Sequence, residues 1–194
     1  PKIDNPIKLG DFRLISLLNN SLKLLTKIVS NRLQTCILEL VHTNQYEFIK
    51  GRTIQNCLSW SFDYLHLCHK SKKELLILKL DFEKAFNKIE HEVSLLMLEH
   101  KGFEQKWISW IKSILSSGTS SILLNGVSGK TFHCKRGVRQ GDPLSPLLFV
   151  LIADLLQSIV NKAKDLNLLK MPLRPRGEEQ FPIIQYADDT LSVM

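Results

Sequence analysis

Asp81 and the adjacent pair Asp188 and Asp189 are the residues of this chain best suited to hold divalent cations. Carboxylates gathered in one place repel one another, and a divalent cation relieves that repulsion. Magnesium takes oxygen ligands and is typically held by one or two carboxylates together with substrate phosphates. Two such ions about 4 Å apart stabilise both the attacking and the leaving oxygen of an in-line phosphoryl transfer. An isolated Asp-Asp is more often an ordinary turn, so the weight falls on what surrounds each carboxylate.

Asp81 follows the run Leu75-Leu76-Ile77-Leu78-Lys79-Leu80, short and almost continuously apolar, which reads as a buried strand carrying the acid at its C-terminal end. Asp188 and Asp189 follow Phe181-Pro182-Ile183-Ile184-Gln185-Tyr186 and precede a second apolar run, Leu191 to Met194, so the pattern is a hairpin with two carboxylates at its tip. The three acids converge if these strands lie side by side in one sheet. Upstream, Leu18, Leu22, Leu25, Val29, Leu33, Ile37 and Leu40 recur at helical spacing and predict a long amphipathic helix over Leu17 to Val41. Gly51 separates it from a second helix, Thr53 to about Lys70. Between Asp81 and the hairpin come helices over Glu90–His100 and Glu104–Ser116, each closed by a glycine. Asn125-Gly126 predicts a tight turn between Ser121–Leu124 and Thr131–Cys134. Asp142-Pro143 predicts a helix start, with the acid as N-cap, running to about Lys164, and residues 165–181 read as a polar connection.

With 194 residues, 44% of them hydrophobic, the chain can bury a real core, which excludes disorder. Its net charge is +7, and residues 12–38 and 105–141 carry basic side chains without one acid, so two distant stretches can face phosphates. Cys36, Cys57, Cys68 and Cys134 lack the close pairing of a zinc site or a disulfide framework, and His66-Cys68-His69 reads as part of a helix. The longest apolar stretch, Leu147 to Ala153, is too short to span a bilayer. These features predict a soluble intracellular protein, in nucleus or cytoplasm, with no membrane partner. Starting at Pro1 and stopping at Met194 within a strand pattern, the chain reads as a piece of a longer polypeptide.

Three strings make the pattern specific. Leu80-Asp81-Phe82-Glu83-Lys84-Ala85-Phe86, then Arg136-Gly137-Val138-Arg139-Gln140-Gly141-Asp142-Pro143-Leu144-Ser145-Pro146-Leu147-Leu148-Phe149, then Tyr186-Ala187-Asp188-Asp189, resemble three successive motifs of reverse transcriptases, in the family's order. Phe12-Arg13-Leu14-Ile15-Ser16-Leu17 with Asn31-Arg32-Leu33, and Asn44-Gln45 with Phe48 and Gly51-Arg52, resemble fingers motifs of the non-LTR (LINE-type) retrotransposon branch, plant copies especially. The resemblance covers nearly the whole chain.

Carried over residue by residue, it implies that Asp81 and Asp188, with Asp189 in the same triad and the Phe82 main-chain carbonyl, hold two Mg2+ ions, Mn2+ being a substitute. Phe86 matches the aromatic gate that leaves no room for a ribose 2′-hydroxyl. Gln140 and Gly141 match residues at the incoming nucleotide, and Arg13 a fingers arginine clamping the triphosphate through its planar fork. Arg52, Arg136 and Arg139 would meet template or primer phosphates or stabilise the motif loops. Leu14 stands where the family usually has proline, and Asn87 where many relatives have aspartate.

The implied fold is α+β: a helical fingers segment over residues 1–73 and a palm over 74–194, built on strands around Asp81, 121–134 and 183–194. Its antiparallel sheet is packed on helices, and the thumb is absent. The implied activity is RNA-directed DNA polymerisation, with RNA template, DNA primer and deoxynucleoside triphosphates as partners. An endonuclease upstream and a thumb downstream are expected in the parent polyprotein. The alternatives are a group II intron-type reverse transcriptase and a degenerate, non-catalytic nucleic-acid-binding remnant. All three aspartates argue against the remnant. Phe86 argues against an RNA-templated RNA polymerase, which needs a polar group where the ring sits.

Overall fold

Helix α1 (Asn20–Leu40) starts where Asn19, in extended backbone, accepts a hydrogen bond from the Leu22 N–H at 2.7 Å. The apolar periodicity reaches back to Leu17, but the cap satisfies the first free N–H groups three residues later and fixes the start there. Thr53 caps α2 (Ile54–Lys70) in the same way, through the Asn56 N–H. These elements belong to a computed structural model that describes residues 4–8, 11–12, 15–116, 118–174 and 182–194.

The central sheet contains β1 (Ile77–Asp81), β4 (Ile183–Tyr186) and β5 (Asp189–Val193) in the order β1-β5-β4, antiparallel throughout, as the sequence predicts. The expectation of a buried first strand is corrected. β1 is an edge strand, with Ile77 50% and Leu78 40% exposed, because β5 covers one side and no strand among the described residues pairs with the other. β4 and β5, by contrast, bury Ile183, Ile184, Thr190, Ser192 and Val193.

A single turn of helix, α3 (Ala85–Lys88), follows Asp81 and has no counterpart in the sequence reading, being too short to show periodicity. Helices α4 (His91–His100) and α5 (Gln105–Ser116) come next. The hairpin of β2 (Thr119–Leu124) and β3 (Val127–His133) turns at Asn125 and Gly126, both at positive φ, 50° and 81°. It was expected among the palm strands, yet it forms a separate two-stranded sheet whose side chains are mostly exposed.

Helix α6 (Ser145–Asp165) begins later than predicted. Asp142 is not its N-cap; its carboxylate accepts from the Leu144 N–H at 2.9 Å in a local turn, and Pro146 rather than Pro143 lies in the first helical turn. The whole helix is long and apolar enough, by length and composition, to cross a membrane, which the seven-residue apolar run did not suggest. Its Leu147, Leu148, Val150 and Leu151 are buried in the same apolar cluster as Val29, Leu33 and Ile37 of α1, Leu98 of α4 and Ile111 of α5. It also carries the buried Asp154, which lies 2.6 Å from Lys101 Nζ and accepts from the His42 N–H. Lys101, at the end of α4, donates to the Leu40 carbonyl as well, so one ion pair joins three helices.

Candidate active site

In the β1–β5 ladder Asp81 lies directly opposite Asp189, and Tyr186 is paired with Asp189 across the hairpin. Residues opposite one another in an antiparallel pair project from the same face, with Cβ atoms about 4.5–5.5 Å apart. Asp188 sits beside them in the two-residue turn Ala187-Asp188, where the buried Ala187 takes φ 52°. Asp81 and Asp189 are exposed and Asp188 is half-buried. Lys79, two residues before Asp81 and hence on its face, places Nζ 3.3 Å from Asp189 Oδ1. Both ends of that pair are well exposed, so it adds little stability.

The other face of the hairpin borders an apolar cavity of about 420 Å³, lined among others by Phe82, Ala85, Phe149, Leu156, Gln185 and Ala187. Ala187 therefore separates an acidic face from an apolar one. Phe82 continues directly from β1 and is 42% exposed.

A fourth carboxylate, which the sequence reading missed, comes from the far edge of the sheet. Residues 44–47 run parallel to β4: Gln45 bridges Gln185, the Tyr46 N–H donates to the Gln185 carbonyl at 2.9 Å, and the Gln185 N–H donates to the Asn44 carbonyl at 2.8 Å. Continuing that register brings Glu47 alongside the Ala187-Asp188 turn. Partial burial first, and then the charges of Asp188 and Asp189, push the Glu47 carboxyl above its ordinary value. The signal in the sequence was an acid lying between Gln45 and Phe48 in a string already singled out.

Arg52 and Gln34 hold this segment. Arg52 Nη1 donates to the carbonyls of His42 and Gln45, at 2.6 Å each, and Nη2 donates to that of Val41. Gln34 Nε2 donates to the Phe48 carbonyl at 2.6 Å. Of the two expectations for Arg52, nucleic-acid phosphates or a motif loop, its guanidinium follows the second and is engaged with this chain's own backbone.

His42 contributes a pH dependence. Burial, only partly offset by Asp154, depresses its pKa to about 4, and Nδ1 accepts from the Asn44 N–H, a bond that protonation would break. The unfolded chain takes this proton near pH 6.5 and the folded chain only near 4. The group's contribution is therefore complete above 6.5 and is lost as pH falls towards 4, by roughly 2 kcal/mol after screening of a part-exposed ring. Denaturant titrations at pH 7 and pH 4.5 should show the loss, and His42→Gln should flatten this part of the profile; an equally steep profile in the variant removes His42 as its source.

The glycine-rich string packs onto the stretch after Asp81. The Val138 N–H donates to the Phe86 carbonyl at 2.9 Å and the Gly137 N–H to that of Ile89. Gly137, at φ 80°, could not be replaced without strain, since a Cβ there would lie 2.8 Å from the Asn87 carbonyl oxygen. Gly141 gives a close backbone approach too, but the backbone it meets is that of Ser16: a Cβ would lie 3.1 Å from the Ser16 oxygen, and the Ser16 N–H donates to the Gln140 carbonyl. Phe86 is half-buried and stacked on Phe149. Arg139 Nη1 donates to the Ile114 carbonyl at the end of α5, and Arg136 is exposed. Arg13 lies outside the described residues.

The structure thus brings Asp81, Asp188 and Asp189 to one end of one sheet, with the Phe86 and Arg136–Pro146 segments joined to each other nearby. Among the described residues no group of three or more His, Cys, Asp or Glu side chains is gathered closely enough to hold a metal ion by itself. Asp81 and Asp189, facing each other, and Asp188 in the adjoining turn are oxygen donors of the kind a hard cation such as magnesium takes, that ion keeping waters and substrate phosphates to complete its shell.

Comparisons with known proteins agree with this geometry. A family model described as "Reverse transcriptase (RNA-dependent DNA polymerase)" matches residues 1–194. The "Transposon TX1 uncharacterized 149 kDa protein" of Xenopus laevis is 30% identical over 96% of this chain, and a "Retrovirus-related Pol polyprotein from type-1 retrotransposable element R2" of Popillia japonica is 27% identical over 97% of it. The chain spans 14% and 25% of the lengths of those two relatives. Among solved structures, telomerase from Candida albicans, in complex with a fragment of telomeric RNA, matches 90% of this chain and 29% of its own with a TM-score of 0.56 at 13% identity, a likeness of fold. With its carboxylates converging on one antiparallel sheet and the family model spanning its whole length, the chain belongs to the reverse transcriptase (RNA-dependent DNA polymerase) family.

Proposed function

We propose that this chain is the polymerase core of a LINE-type retroelement protein, adding deoxynucleoside monophosphates to a DNA primer 3′ end on an RNA template, with release of pyrophosphate. The observation that carries this reading is the cross-strand placement of Asp81 opposite Asp189, with Asp188 in the adjoining turn. Residues 1–73 act as fingers and 74–194 as palm. Asp81 and Asp188 are the principal holders of two Mg2+ ions, assisted by the Phe82 carbonyl. Ions held there would supply charge stabilisation, lowering the pKa of the primer hydroxyl and offsetting charge on the triphosphate.

The chain's own residues orient and select. Asp189, paired with Lys79, keeps a countercharge beside the metal-holding pair. Phe86 presents its ring where a 2′-hydroxyl would lie, and Gln140 and Gly141 border the incoming nucleotide. Arg13 clamps the triphosphate, and exposed Arg136 meets nucleic-acid phosphates. Arg52 and Arg139 act by holding loops, as their backbone bonds support. In the full-length protein an endonuclease and a thumb complete the machine.

The test is primer extension by the full-length protein, with an oligo(dT) primer on poly(rA), deoxythymidine triphosphate and Mg2+. Extension is expected, with loss on chelation and recovery on adding Mg2+ or Mn2+. Extension that survives chelation would exclude the metal mechanism, and failure to copy RNA would exclude the activity.

A further inference from the structure

Phe86 is the middle of three aromatic rings contributed by three separate parts of the chain. Its ring stacks on Phe149 of α6 at a centroid distance of 4.4 Å and an interplanar angle of 7°. Phe48, from the loop that follows α1, meets it edge-on at 6.3 Å and 87°. Offset stacking and edge-to-face contact are the two favoured geometries of aromatic pairs. The stack sets the plane of the Phe86 ring but leaves it able to slide within that plane. An edge-on neighbour blocks the slide. Phe86 stands on α3, a single helical turn, where the Val138 N–H holds its carbonyl but does not fix its ring.

Phe48 is held in place at a cost. Its φ is 61°, in the left-handed region that a bulky residue rarely enters. Strain of this kind persists only where the surroundings over-determine it. Here the Phe48 carbonyl accepts from Gln34 Nε2 at 2.6 Å, the Lys50 N–H donates to Gln34 Oε1, and Arg52 fixes the preceding residues through the Gln45 carbonyl.

We propose that Phe48 is a positioning residue for sugar selection: its edge contact, together with the Phe149 stack, fixes the Phe86 ring against the 2′ position of the incoming nucleotide. The fingers loop thereby acts on nucleotide choice through a ring that need not touch the nucleotide. This rests on the reading of Phe86 as the gate, and the experiment separates the two.

In the full-length protein, kcat/KM is measured for a deoxynucleoside triphosphate and for the matching ribonucleoside triphosphate, and the readout is their ratio. A merely structural defect lowers both rates together and leaves the ratio alone. Phe48→Leu should raise relative ribonucleotide use by about two- to tenfold, the worth of an aromatic pair. Phe48→Met, which keeps the length without the ring edge, should do the same if the leucine variant folds poorly, and Phe48→Tyr should retain the wild-type ratio. Phe86→Val, run alongside, should raise the ratio further. If Phe86→Val shifts the ratio and neither Phe48→Leu nor Phe48→Met does, the positioning role is overturned and the gate stands. If none of the three shifts it, the gate reading falls, and the positioning role with it.

Discussion

Asp188→Asn in the full-length protein should lower RNA-templated extension by roughly three orders of magnitude while leaving the fold intact. Asparagine keeps the size and the turn preference of aspartate but removes the charge that a divalent cation requires. The several kcal/mol of transition-state charge stabilisation that a bound ion supplies correspond to a rate factor of about this size. The same substitution should not lower the unfolding temperature. The Asp188 charge acts on the Glu47 carboxyl, so removing it relieves repulsion in the metal-free protein. Thermal melts with and without Mg2+ complete the test: the ion should raise the melting temperature of the wild type, by binding only the folded state, and should raise that of the variant less. Activity within tenfold of wild type, or an undiminished response to Mg2+, would remove Asp188 from the metal site.

The largest loss of stability is expected from Lys101→Met. Lys101 and Asp154 are only 11% and 10% exposed at their side chains and 2.6 Å apart. Removing the ammonium leaves a buried carboxylate without its countercharge, which typically costs about 3–5 kcal/mol. For a chain of this size that lowers the melting temperature by on the order of 10 °C. A hydrophobic replacement of both partners avoids stranding a charge, so Lys101→Met with Asp154→Leu should recover much of the loss. Recovery should be incomplete, because Asp154 also accepts the His42 N–H and Lys101 also reaches the Leu40 carbonyl. Denaturant unfolding measures both, and a single-variant loss below about 1 kcal/mol would mean that water reaches the pair.

How much of this was legible follows the range of the interactions. Asn125-Gly126 and the hairpin around Asp188 could be read because a turn and two short strands are local. Helices α1, α2, α4 and α5 could be read because their apolar faces repeat at helical spacing. The burial of β1 was misread, since whether an apolar strand lies at an edge depends on partners far away in sequence. Asp142 kept its affinity for free N–H groups but used it on Leu144, so α6 starts at Ser145. Glu47 went unnoticed because only the pairing of Gln45 with Gln185 brings its segment to the hairpin. Arg52 and Arg139 were open to two readings, phosphate contact or bracing of a loop, and only the structure gives their carbonyl partners. Charge can be read from sequence; the group that a long side chain satisfies cannot.

The β1–β5 ladder also has a consequence in time. During synthesis Asp81 leaves the ribosome about a hundred residues ahead of the strand that pairs with it, an interval of roughly 5–20 seconds at ordinary elongation rates. Throughout that interval the run Leu75–Leu80 has no ladder partner. The nascent chain therefore carries an apolar, unpaired strand for seconds before its carboxylates can meet.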